Sequence, residues 1–110
     1  MKEDITEEEI KRLYDNAVEL PFDKIFADLK KGKLPNIEPM ILNNGYGVGM
    51  SLDYDEKNNR KIKHIYISNP NGKIDPAIAD TLATRILGKD CIFIDPMSKN
   101  NLFHYMKDHI

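Results

Sequence analysis

The stretch "LNNGYGVGMSLDY", residues 42–54, places glycine at 45, 47 and 49. Glycine lets a backbone approach a ligand closely, which makes Gly47 and Gly49 candidate ligand contacts. The spacing is not that of a dinucleotide loop, which needs G-x-G-x-x-G between a strand and a helix, and no phosphate loop ending in Gly-Lys-Ser/Thr occurs. The run also has a purely structural meaning. Asn44-Gly45 between apolar residues signals a type I′ hairpin turn, and the glycines beyond it thin one face of a strand.

Two Ile-Asp-Pro tripeptides, at 74–76 and 94–96, supply the carboxylates Asp75 and Asp95. At the C-terminal edge of parallel strands such a pair can hold a divalent cation through oxygen or divide acid and base roles. The same residues are also good helix N-caps. "NPNGK", residues 69–73, brings Lys73 to a helix start, where anions bind, although Asp75 would repel the same anion. His64, His104 and His109 do not share a metal-binding spacing; the last two are five apart rather than four. Cys91 heads an apolar run and reads as a core residue. No metal site and no cofactor is predicted. Lys57, Arg60, Lys61 and Lys63, flanked by Tyr54 and Tyr66, form a basic hairpin that could meet phosphates and stack bases, or stand as a solvated turn whose lysines deter edge pairing.

Composition narrows the field. The chain has 110 residues, 41% hydrophobic and 31% charged, with a net charge of −2 and one cysteine. That fits one domain over residues 1–110, without a disulfide and without the bulk positive charge of a nucleic-acid binder. The beginning, "MKEDITEEEIKRL", lacks the apolar core of a signal peptide, and no apolar run spans a bilayer, so a cytoplasmic setting is expected with no membrane partner.

The elements that position these residues follow from periodicity. "ITEEEIKRLYDNAVEL" is a helix opened by the capping box Thr6/Glu9. "PFDKIFADLKKG" is a second helix from Pro21 to Gly32. Strands are predicted over 40–43, 46–54, 61–68 and 91–94, and a helix over 76–87 between Asp75 and Gly88. "DPMSKNNLFHYMKDHI" is read as a final helix capped by Asp95 or Ser98, with Leu102, Phe103, Met106 and Ile110 inward. The expected fold is α+β, a small mixed sheet of about four strands in the order ααβββαβα. Strand 91–94 is predicted to lie parallel and adjacent to 61–68 through a βαβ crossover, with Gly47 and Gly49 against Ala79 and Ala83.

Three functions are compatible with these residues. The leading one is a small binding or accessory module, forming a homodimer over the strand edge near 40–43 or the helical pair. The others are an enzyme built on Asp75 and Asp95, and an RNA-binding module using the 57–63 hairpin.

Overall fold

The computed structural model describes residues 5–31, 33, 37–55, 57, 59–94 and 102–109. Helix α1 (Glu7–Asp15) has the capping box: the Thr6 hydroxyl accepts from the Glu9 N–H at 3.1 Å, and the Glu9 carboxylate accepts from the Thr6 N–H at 3.2 Å. Glu9 is buried because its second oxygen is used too, accepting from the Asn43 N–H at 2.9 Å. One carboxylate thus ties the first helix to the later hairpin turn.

The helix stops before the expected point. Val18–Glu19 forms β1, parallel to Ser51–Leu52, and the Leu20 N–H donates to the Leu52 carbonyl at 3.1 Å. Pro21 then starts α2 (Phe22–Lys30). A hairpin joins β2 (Met40–Ile41) to β3 (Gly47–Asp55). Its turn is not type I′, which needs two positive φ angles, because Asn59 alone among the described non-glycine residues has one. Gly45 at φ 89° suffices: Gly45 N–H to Leu42 C=O (2.9 Å) and Leu42 N–H to Tyr46 C=O (2.8 Å) close a three-residue loop.

β4 (Arg60–Ser68) pairs antiparallel with β3, and α3 (Pro76–Leu87) follows as read, capped by Asp75 and ended at Gly88 with φ 106°. The rest departs from expectation. Among the described residues the sheet has six strands rather than about four, and the segment expected to be the last helix is a strand, β6 (Phe103–His109). Residues 95–101, including Asp95 and Ser98, lie outside the described residues. β6 inserts between β4 and β5 (Ile92–Ile94), antiparallel to both. β5 therefore runs in the same direction as β4 without pairing with it, and the adjacent parallel pair is not formed. The physical reason is alternation. His104 and Met106 fall on one face and Phe103 and Tyr105 on the other, which suits a strand covered on both sides better than a helix covered on one. In consequence β5 is an edge strand with Ile92 and Phe93 about half exposed.

Helices α1 and α3 cover one sheet face through Leu13, Leu82 and Ile86, over Val48, Met50, Ile65 and Ile67. The other face is covered by α2 and the segment before β2, through Ile25 and Ile37, over Tyr66 and Leu102. Gly47 and Gly49 belong to this second face, so they do not meet Ala79 and Ala83. A Cβ on Gly49 would lie 2.7 Å from Ile37 Cγ2, and one on Gly47 would lie 3.5 Å from Pro39 Cβ. No helix among the described residues is long and apolar enough to cross a membrane.

Candidate functional site

The alternation of β3, β4 and β6 turns Ser51, Asp53, His64, Tyr66 and His104 onto the α2 face. All five are buried; His64, His104 and Ser51 are 0% exposed. His64 Nδ1 and His104 Nε2 are 2.9 Å apart, so one donates to the other. The Asp53 carboxylate stands 3.7 Å from His64 Nε2, too far for a direct hydrogen bond but close enough to favour a proton there. His64 Nδ1 then accepts from His104 Nε2–H, and His104 Nδ1 keeps a lone pair. Tyr66 stacks on His104 at 4.7 Å between centroids.

Burial pulls His64 down to about 4 and His104 down to about 3, the second also opposed by charge on the first. Both are neutral at pH 7. Burial pushes the Tyr66 phenol up to about 12; the Ser51 hydroxyl pulls against this and the Asp53 carboxylate adds to it. The Ser51 and Tyr66 hydroxyls and His104 Nδ1 have no geometrically good hydrogen-bond partner among the described residues. Nor is any group of three or more His, Cys, Asp or Glu among them arranged to hold a metal ion. The cluster is a buried polar layer in which both imidazoles are uncharged.

Asp53 joins that layer to an open cleft of about 1120 Å³ where β1 leaves β3. Tyr54, Lys57, Lys61 and Lys63 line one side, and Leu20, Pro21 and Ile62 continue it toward α2. Two cations near this end have a structural task. Lys63 Nζ lies 5.1 Å from the centroid of the Tyr14 ring, and Lys107 lies along Gly88, past the last turn of α3. Both stand near helix C-termini, where positive charge is favoured. They also face each other across β4 and β6; burial first, then Lys107, lowers the Lys63 pKa. Lys57 and Lys61 are exposed, as is Tyr54 at 47%, whose hydroxyl donates to Asn59 at 2.6 Å.

The residues singled out from the sequence are therefore scattered. Asp75 caps its own helix, accepting from the Ala77 N–H at 2.9 Å, and its N–H donates to the Tyr46 hydroxyl. Asp95 lies outside the described residues, and so does the side chain of Arg60. Lys73 is exposed, with its carbonyl accepting from Asn69. Gly47 and Gly49 lie under this chain's own residues 37–41. Cys91 is half-buried, its thiol pushed up chiefly by burial. Of the basic hairpin, Lys57, Lys61 and Lys63 do come together at the cleft. The Asp53–His64–His104 chain escaped the sequence reading. Its signal was present: once 103–109 is a strand, His104 and His64 share a face. Compared with family models, with curated proteins and with solved structures, the chain matches none.

Proposed function

We infer that the chain is a small binding module that takes an acidic partner in the cleft where β1 leaves β3. The observation carrying this reading is the exposed trio Tyr54, Lys57 and Lys61 gathered at the mouth of an open cleft. Lys63 and Lys107 lie against helix ends, whereas Lys57 and Lys61 are exposed at the cleft. The enzyme reading is less well supported, because Asp75 is engaged as a cap and both imidazoles described are sealed from solvent. A cytoplasmic setting belongs to the same proposal, as does self-association over the β2 edge, where Ile41 is 58% exposed. Sedimentation giving a monomer at ~100 μM, well above the micromolar range of a modest interface, would remove the dimer.

Poly-L-glutamate tests the binding reading. It should bind the wild-type chain at low salt and lose affinity as salt rises. Lys57→Glu/Lys61→Glu should bind about tenfold more weakly, ~1.4 kcal/mol, with an unchanged melting temperature. Equal binding by wild type and variant, or no binding by the wild type, would overturn it.

A further inference from the structure

The backbone at the cleft says what shape of partner fits. Leu20 N–H donates to the Leu52 carbonyl from the outer side of β3, and Leu42 N–H donates to the Tyr46 carbonyl from that same side. Peptide groups alternate along a strand, so those of residues 46, 48, 50, 52 and 54 face outward, and those of 51 and 53 face β4. β2 covers Gly47–Val48 and β1 covers Ser51–Leu52. Beyond Leu20 the chain turns at Pro21 into α2, and no described strand continues the line beside Tyr54. The outward N–H and C=O of Tyr54 therefore open into the cleft that Leu20, Pro21 and Tyr54 line.

The side chains on either side of this edge differ. Tyr54 and Lys61 are cross-strand partners on one sheet face, with Lys63 next along β4. Leu20 and Ile62 project on the other face, beside Asp53. Glu19 and Asp23 also line the cleft. A polyphosphate, anionic at every unit, would meet those carboxylates. A strand carries charge at alternate residues only: its acidic side chains lie toward Lys61 and Lys63, on the face that Glu19 shares through its pairing with Leu52, and its apolar ones lie toward Leu20 and Ile62, beside Asp53.

We propose that the partner is an extended polypeptide segment of alternating acidic and apolar residues that adds as a strand beside β3 at Tyr54; this rests on the binding-module reading above. The main-chain bonds at Tyr54 fix the register, and Lys57 and Lys61 select the acidic face.

The test uses fluorescent hexapeptides alternating Glu and Val, followed by anisotropy against the full chain at low salt. The Glu/Val peptide should bind, and the Lys/Val peptide should not. N-methylation of every second Glu/Val amide, in both phases, leaves charge intact and removes edge donors; one phase should bind about tenfold more weakly. Lys57→Glu/Lys61→Glu should weaken the unmodified peptide by a similar factor. If both N-methylated peptides bind as well as the parent, strand addition is wrong while the binding module stands. If single-stranded oligouridylate binds and the Glu/Val peptide does not, the partner class is wrong, and the 57–63 hairpin is a nucleic-acid surface. If poly-L-glutamate, peptide and oligouridylate all fail to bind, both readings fall together.

Discussion

Lowering the pH from 7.5 to about 4.5 is expected to remove on the order of 5 kcal/mol of stability, most of what a domain of this size has. The cause is His64 and His104, held neutral by burial at about 4 and about 3 against an ordinary value of 6.5. Above 6.5 both are neutral whether the chain is folded or not, and they contribute no pH dependence. Below 6.5 the unfolded chain binds protons that the folded chain refuses, so stability falls as pH falls, through 4 and toward 3. The first charge is expected on His64, which lies beside Asp53: a proton taken up at the His104 Nδ1 lone pair lets the His104 Nε2 proton pass to His64 Nδ1. Urea midpoints measured at several pH values should drop steeply below 6.5. His104→Gln, which removes one of the two groups, should lessen the drop by about half. A wild-type midpoint unchanged between pH 7.5 and 5 would show that the imidazoles are not sealed.

Gly49→Val should cost about 1–3 kcal/mol, seen as a lower denaturation midpoint. The added Cβ alone would lie 2.7 Å from Ile37 Cγ2, which is branched next to its own backbone and has little room to swing away. Ile37→Ala opens that space. The double variant should therefore be less destabilised than the sum of the two single ones, and the coupling assigns the clash to this pair. Strict additivity would mean that the segment before β2 does not seat on Gly49. In that case the glycine face would again be open to a ligand.

The parts of the fold that could be read from the sequence are those fixed by local chemistry. Thr6 and Glu9 make the first cap whatever lies elsewhere, Asp75 and Pro76 start α3, and Asn44-Gly45 turns a hairpin, because each needs only neighbours in the chain. The failures are long-range. Leu102, Phe103 and Met106 satisfy a helical stripe as well as a strand pattern, and only the vacant side of β4 decides between them. Val18 and Glu19 continue a helical pattern but pair with β3, which sets the open edge beside Tyr54. The candidate site has the same history. The lysines of the hairpin are neighbours in sequence and were visible, whereas His64 and His104 are forty residues apart and meet only through the register of β4 with β6. Which face the glycines present depended on α2 crossing to the opposite side of the sheet from α1, which no pattern within either helix encodes.

A binding surface at the edge of β3 beside Tyr54 has a signature in solution. Amide chemical-shift mapping during titration with the alternating Glu/Val peptide tests it most directly. Shifts should concentrate at Leu20, Leu52–Tyr54 and Lys61–Lys63, with the Tyr54 amide gaining protection from hydrogen exchange on saturation. Saturable shifts centred instead on β5 around Ile92 and Phe93, with Tyr54 unmoved, would contradict it.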